Sequence, residues 1–175
     1  EVSNVTDMRS IFLDAVAFNN DVTQWQTSSA TLMINTFRGA QSFDQDLSGW
    51  DISNVTTMSR MLEGSNLSIQ NYDNFLISIA NQTVQSDVTL GAVGISHCLG
   101  TSAVEQLRNN SNWTITDAGE SCSSENDITA FAIADIQLSD AVINTVEHTI
   151  TVSIFTSTEL GSFAPDISVS PGASI

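Results

Sequence analysis

Apolar residues recur with a 25-residue period over the first 65 positions of the chain. Seven features recur in one register without a gap, and such self-similarity is the signature of stacked repeat units. We call residues 1–25, 26–50 and 51–75 the first, second and third repeat units. The recurring features are residues 2–8 returning as 52–58, Met8/Met33/Met58, Phe12/Phe37/Leu62, Ala15/Ala40/Ser65, Phe18/Phe43, Asp21/Asp46 and Trp25/Trp50.

The start of each repeat unit has a helical pattern. Val5, Met8 and Phe12 stand at i, i+3 and i+7, which places them on one face of a short helix. Thr6 or Asn4 can cap the start of this helix, because its side-chain oxygen accepts a free backbone N–H. The spacing therefore predicts one short helix in every unit.

The second half of each unit has a different character. Residues 18–25 are polar and rich in turn-forming side chains, so we predict an extended segment with Phe18, Val22 and Trp25 facing inward. One such unit cannot bury its own apolar face. Stacked units would form a continuous core, with a parallel ribbon of strands on one side and helices on the other.

The repeat changes after residue 65. Tyr72, Phe75, Leu76 and Ile79 have helical spacing and predict an amphipathic helix over residues 71–80. We further predict strands at 88–90 and 113–116 and a helix at 102–109. A longer period and more polar ends are typical of a terminal cap.

The two cysteines, Cys98 and Cys122, lie in this predicted cap. A disulfide between them would close a loop of about 25 residues and contribute about 3 kcal/mol. It is favoured if the protein is secreted, and it would then indicate an oxidising compartment. A metal site on His97 and Cys98, or a reactive thiol, is the alternative, although zinc-type ligand spacing is absent.

After Cys122 the composition changes again. Residues 123–127 form a polar linker, and Ile150, Val152 and Ile154 then alternate with polar residues, which predicts a strand. Residues 128–133 and 167–169 are further predicted strands. This region resembles the start of an immunoglobulin-like module of bacterial surface proteins. The residues that carry the resemblance are 141–143, 148–152, 164–167 and 170–175.

Composition excludes several classes of function. The chain has 20 acidic residues against four basic ones, for a net charge of −16, so it lacks the basic surface that nucleic acids and anionic membranes require. No apolar run is long enough to span a membrane.

Catalytic chemistry has little support in the sequence. None of the common catalytic or phosphate-binding motifs occurs, and the two histidines, His97 and His148, are the sole candidates for a neutral-pH base. Asp44 and Asp46 could form a carboxylate pair. Because their positions recur with the repeat, backbone turn chemistry is the favoured interpretation. We expect no enzyme activity and no cofactor or resident metal.

The candidate binding residues come from the same recurring columns. Trp25 and Trp50 would form an aromatic platform for a sugar or a partner protein if they faced solvent, but core packing is the favoured alternative. Acidic loops would be the site of calcium if calcium binds. The candidates are Trp25, Trp50, Asp21, Asp46, Asn19 and Asp44.

A family resemblance rests on the V-S-N-V-T-x-M segment and on the Phe, Asp and Trp columns that follow it within residues 1–65. This pattern resembles the BspA-like leucine-rich repeat of bacterial surface proteins. Residues 67–76, 97–98 and 113–122 resemble the closing helix and cap of such arrays. Ala118 departs from the glycine that the family often has there. The resemblance implies a secreted or cell-surface location and binding to host or environmental macromolecules.

We therefore predict a right-handed leucine-rich-repeat-like solenoid of 25-residue units over residues 1–122, with a disulfide-closed C-terminal cap. The 123–127 linker and a truncated, all-β immunoglobulin-like sandwich module at 128–175 would follow, with the chain cut at both ends. The predicted function is adhesion or interaction with an extracellular protein or glycan through the repeat face. The alternatives are a structural spacer, or an accessory region of a secreted hydrolase whose catalytic domain lies elsewhere.

Overall fold

The computed structural model describes residues 2–122 and, beyond them, the backbone of four strands within residues 128–169. The chain divides into two compact parts, residues 1–122 and residues 123–175. The predicted 123–127 linker, His148, Ile154 and residues 170–175 lie outside the described residues.

Consecutive repeat units are joined by a regular set of backbone hydrogen bonds. They run between what we call the ladder segments, residues 7–14, 32–39 and 57–64. Parallel bridges connect Asp7 to Leu32 and Leu32 to Thr57. Every second amide of one ladder segment donates to a carbonyl of the next, at 2.8–3.1 Å. The donors are Met8, Ser10, Phe12 and Asp14 in the first unit and Met33, Asn35, Phe37 and Gly39 in the second.

The helix predicted at the start of each unit is wrong. The first helix of the described chain begins at Ile69, and no helix includes Val5, Met8 and Phe12 or is capped by Thr6 or Asn4. Two residues in each ladder segment are left-handed, a conformation that interrupts a right-handed helix. They form the columns Ser10/Asn35/Arg60 and Asp14/Gly39/Gly64, with φ between 54° and 71°. The inward positions were nevertheless identified correctly, since Met8 is buried and Val5 and Phe12 pack against the core.

The strand predicted in the second half of each unit is also wrong. Residues 18–25 and 43–50, which we call the return segments, contain turns but no strand. Their apolar residues still face inward: Val22 and Leu47 are buried, and Phe18 packs against the core.

The return segments continue into two helices. Helix α1 spans Ile69–Ala80 and confirms the predicted amphipathic helix, with Tyr72, Phe75, Leu76 and Ile79 buried. Its Ser78 hydroxyl donates to the Ser48 carbonyl at 2.6 Å, so α1 lies on the second return segment. Helix α2, Thr101–Ser111, confirms the second predicted helix and packs against α1. The helices therefore lie on the return side of the stack, the side on which each repeat unit was predicted to form a strand.

The ladder segments continue into two short strands that were both predicted. Strand β1, Thr89–Gly91, follows the third ladder segment, and strand β2, Thr114–Thr116, pairs with it in parallel. Thr89 is opposite Thr114, so the cap keeps the 25-residue offset of the repeat between β1 and β2. The longer period predicted for the cap is therefore wrong for this pair of strands. The offset between the bridged residues Met58 and Leu90 is larger, because the longer α1 is accommodated there.

Side chains from the ladder segments and the return segments form one buried cluster. Aromatic rings follow the repeat through it. Phe37 stacks on Phe43 with ring centroids 3.9 Å apart, and Phe12 stacks on Phe18 at 3.8 Å in the unit before. Each unit thus supplies one slice of the core. No described helix is both long and apolar enough to cross a membrane.

Residues 123–175 contain four described strands: β3 (Ile128–Ile133), β4 (Ser139–Asn144), β5 (Thr149–Ser153) and β6 (Pro165–Val169). The predicted strands at 128–133 and around residues 150 and 167 are confirmed. Strand β3 pairs with β6 and β4 with β5, both antiparallel.

Candidate interaction surface

The two repeated tryptophans lie in the core and at its edge. Trp50 is 0% exposed, and its indole N–H donates to the carbonyl of Val22 at 3.0 Å. Trp25 is partly buried, and its ring lies parallel to that of Trp50, 6.1 Å away. Trp50 therefore presents no surface to a ligand in this structure, and Trp25 retains only part of its ring for contact.

Asn19 and Asp44 occupy the same position in successive units and join each unit to the next. The Asn19 side-chain carbonyl accepts the Asp44 backbone N–H at 2.9 Å. The Asp44 carboxylate accepts the backbone N–H of Ser68 at 2.9 Å and its hydroxyl at 2.8 Å. Burial alone would raise the pKa of Asp44, but these hydrogen bonds and one from Asn71 lower it below its ordinary value. Both residues stabilise the stack.

Asp21 and Asp46 form turns. Asp21 accepts the backbone N–H and the hydroxyl of Thr23 at 2.8 and 2.7 Å, and the hydroxyl contact, followed by the N–H contact, lowers the pKa of Asp21. Asp46 accepts the N–H of Ser48 at 2.8 Å. This is the local turn chemistry that Asp provides. Asp21 is exposed, whereas Asp46 is partly covered.

No group of three or more His, Cys, Asp or Glu side chains suited to a metal ion occurs among the described residues. Each candidate acidic residue accepts at least one hydrogen bond from within the protein. Calcium binding therefore remains a prediction without a preformed site in residues 2–122.

The cap is organised by Asp73, a residue that the sequence analysis did not single out. It is 3% exposed, and its carboxylate accepts the backbone N–H groups of Cys98, Leu99 and Gly100 at 2.8–2.9 Å. Gly100 is the N-cap of α2 and has no side chain for that role. Asp73 of α1 thus supplies the acceptors that the start of α2 needs.

Next to this contact lies a buried polar cluster of Tyr72, His97 and Asp117. The Tyr72 hydroxyl donates to the Asp117 carboxylate at 3.1 Å, and His97 Nδ1 lies 3.1 Å from the same oxygen. Burial, and then the negative charge of Asp117, raises the pKa of Tyr72 far above its ordinary value. The cluster connects α1 to both chain segments that carry the disulfide.

Cys98 and Cys122 form the predicted disulfide. His97 belongs to the neighbouring hydrogen-bonded cluster, so the alternative of a metal site on His97 and Cys98 has no support in this geometry. Sequence reasoning placed Tyr72 on the buried face of a helix but missed its contact with Asp117, because the two residues lie 45 positions apart.

Open grooves lie on the surface of residues 2–122. One, which we call the ladder groove, has a volume of about 570 Å³ and is lined by ladder residues of the first two units. There the Asp7 carboxylate pairs with the Arg9 guanidinium at 2.6 Å, which lowers the pKa of Asp7 to about 2. Another, of about 370 Å³, lies between residues 48–53 and the end of α1. The lining residues of the first are Asp7, Arg9, Ser10, Ile34 and Asn35.

This geometry defines the class of protein as one built from stacked 25-residue repeats closed by a cap. A family model described as "Mycoplasma protein of unknown function, DUF285" matches residues 1–89, slightly more than half of the chain, and the chain belongs to that family. The family is associated with BspA-like repeats. No curated protein and no solved structure matches the chain significantly.

Proposed function

We propose that residues 1–122 are a right-handed leucine-rich-repeat-like solenoid of the BspA type and that residues 128–175 belong to an immunoglobulin-like β module. The parallel stacking of 25-residue units and the family match support the first assignment. The antiparallel pairing of β3 with β6 and of β4 with β5 is compatible with the second. The disulfide favours a secreted or cell-surface location.

We further propose that this solenoid is a non-catalytic adhesion or interaction module. One observation carries the proposal: the stack presents the same polar groups on its side once per unit. Thr6, Thr31 and Thr56 stand in one column, and each of the last two hydroxyls donates to the Thr carbonyl of the preceding unit at 3.0–3.1 Å. A regular array of equivalent groups suits weak, repeated contacts with a large partner.

The ladder groove combines charged and neutral polar groups. Arg9 supplies hydrogen-bond donors and Asp7 supplies acceptors, with side-chain exposures of 52% and 45%. Asn35 and Ser10 add neutral polar groups. A protein or glycan surface rich in hydroxyl and amide groups fits this lining. The net charge of −16 disfavours an anionic partner.

The test is binding of the whole 175-residue chain to immobilised glycans and extracellular-matrix proteins. Two variants would probe the two sides of the stack: Asp7→Ala with Arg9→Ala for the ladder side, and Asp21→Ala for the return side. Trp25→Ala would report on the half-buried ring. All three variants change residues of the first unit. The circular dichroism spectrum of each variant is compared with that of the wild type to show that it still folds.

We expect measurable binding that falls at least about tenfold in the Asp7/Arg9 variant, equivalent to about 1.4 kcal/mol, and that changes little in Asp21→Ala. Loss of binding in Asp21→Ala or Trp25→Ala instead would move the site to the return side. No binding to any partner by a well-folded sample would favour the structural spacer.

A further inference from the structure

The disulfide of the cap lies at the surface of the protein. Cys122 is exposed and Cys98 is partly buried. A small thiol reduces such a bond by attack of its thiolate on one sulfur, which releases the other sulfur as a thiolate. The charges that surround the two sulfurs therefore affect how fast the bond is broken.

Glu120 lies beside the exposed sulfur. Its Oε1 is 4.0 Å from Cys122 Sγ, and its Oε2 accepts the hydroxyl of Thr101 at 3.0 Å. A disulfide sulfur has no proton to donate, so the contact between Oε1 and Sγ is not a hydrogen bond. The hydrogen bond from Thr101 instead holds the carboxylate next to the sulfur that a thiolate from solvent would attack.

A second carboxylate lies next to the other cysteine. Asp73 accepts the backbone N–H of Cys98 at 2.9 Å, together with those of Leu99 and Gly100. Free N–H groups at the start of a helix would stabilise a nearby thiolate, but Asp73 already occupies these donors. In the part of the chain that the structure describes, neither Asp73 nor Glu120 forms an ion pair. The surroundings of the disulfide are thus the opposite of those that activate a cysteine.

We infer that Glu120 slows the reduction of this disulfide and makes the bond selective among small thiols, with anionic thiols excluded most strongly. In the first step a thiolate forms a bond to Cys122 Sγ, and the bond between the two cysteine sulfurs breaks with its electron pair on Cys98 Sγ. A second thiolate then attacks the mixed disulfide, which releases Cys122 and the oxidised reagent, and both cysteine sulfurs take up protons from water.

The carboxylate acts on the first of these steps. Negative charge approaches Cys122 there, and Glu120 repels it at close range. The repulsion is greater for a thiol that carries a carboxylate of its own and smaller for one that carries an ammonium group. This role is independent of the binding function proposed above, because it concerns the lifetime of the cap rather than contact with a partner.

The test compares the whole wild-type chain with Glu120→Gln during reduction by 3-mercaptopropionate, 2-mercaptoethanol and cysteamine, which are anionic, neutral and cationic apart from the sulfur. The chain has two cysteines, so alkylation of free thiols followed by mass spectrometry reports on this bond alone. Rate constants are expressed per thiolate, which removes differences in acidity among the reagents. We expect Glu120→Gln to react about fivefold faster with 3-mercaptopropionate, the factor for two unit charges about 4 Å apart in water. With cysteamine the increase should be less than about twofold, because its ammonium group offsets the repulsion.

Two matched controls separate the local charge from other effects. Asp21→Asn removes the same charge in the first repeat unit, where Asn also suits the turn, and it should leave all the rates nearly unchanged. Thr101→Val removes the hydroxyl that holds the Glu120 carboxylate. It should accelerate reduction less than Glu120→Gln does, with the same order among the thiols. In about 1 M salt, where charges are screened beyond about 3 Å, the difference between wild type and Glu120→Gln should largely disappear.

Three outcomes would overturn the inference. Equal rates for wild type and Glu120→Gln with 3-mercaptopropionate would show that the carboxylate does not act on the incoming thiolate. The same acceleration with all the thiols would show that Glu120 acts by keeping the cap closed, because an opened cap exposes the sulfurs to every reagent alike. An equal acceleration in Asp21→Asn would attribute the effect to net charge instead of to Glu120.

Discussion

The two ends of the repeat stack bury equivalent positions to different extents. At the N-terminal end Ile11 is 44% exposed, whereas its counterparts Thr36 and Met61 are buried, and the aromatic columns end in half-buried rings. At the other end α1, which begins within the third unit, lies on the second return segment and is itself packed against α2, while β1 and β2 extend the ladder next to the disulfide. In a stack with nearest-neighbour contacts, burial of a residue depends on the unit beside it as much as on its own sequence.

The largest expected effect contrasts the two tryptophans. Trp50→Ala should destabilise the N-terminal part by about 3–5 kcal/mol, the range for truncation of a buried aromatic residue. It would also leave the Val22 carbonyl without its indole donor. Trp25→Ala should cost clearly less, because its ring is only partly buried. Urea unfolding followed by circular dichroism measures both, and equal losses would contradict the contrast between the ends.

The second prediction removes the covalent closure of the cap. Replacing both Cys98 and Cys122 by Ser should lower the free energy of unfolding by about 3 kcal/mol, the value for a loop of this length. Amides of β2 should then exchange faster, and the cap would resemble the open end. Wild-type protein under reducing conditions is the control and should show the same loss. An unchanged transition in both samples would refute a stabilising role for the bond.

The third prediction concerns the start of α2. Asp73→Ala should cost about 2 kcal/mol, the upper part of the range for loss of a helix cap, since three backbone N–H groups lose their acceptor. Asp21→Ala is the matched control at the open end, where the turn is exposed, and it should change stability by about 0.5 kcal/mol or less. Thermal unfolding of both variants checks the prediction. Similar losses of stability in Asp73→Ala and Asp21→Ala would refute it.

The smallest effect is a pH dependence at Asp44. The pKa of Asp44 is lowered in the folded protein, so its contribution to stability is present above the unfolded value of about 3.9 and is lost as the pH falls below it. Asp44→Asn keeps a side-chain carbonyl, as Asn19 does in the first unit, but does not titrate. The stability difference between wild type and variant should shrink as the pH falls through the unfolded value of about 3.9 and below it. A constant difference would contradict this.

The sequence predicted which residues face inward but not the backbone conformation that places them there. The columns that contain Met8, Phe37 and Trp50 recur in one register, which correctly indicated stacking. The helix and strand assignments within a unit failed because both were inferred from local spacing. Hydrogen bonds between neighbouring ladder segments, far apart in sequence, determine the conformation instead. Gly39 and Gly64 were the residues in the sequence that pointed to a non-helical backbone in the ladder segments, since both adopt a positive φ.

The cap was predicted better than the repeat. Helices α1 and α2 satisfy most of their hydrogen bonds within a single segment, so local apolar spacing is informative about them. The polar cluster of Tyr72, His97 and Asp117 was not predictable, because it depends on three segments meeting in space. Likewise, recurrence alone could not distinguish a buried Trp50 from an exposed one.

The hydrogen bonds of the ladder segments have an electrostatic consequence. They use every second amide, and in the first two units those amides all point towards the cap. The peptide between Met8 and Arg9 is turned the other way, because the Met8 carbonyl accepts the hydroxyl of Thr36 in the second unit at 3.1 Å. Peptide dipoles that alternate in this way largely cancel, so units of this kind can be stacked without building up the macrodipole that a long helix has.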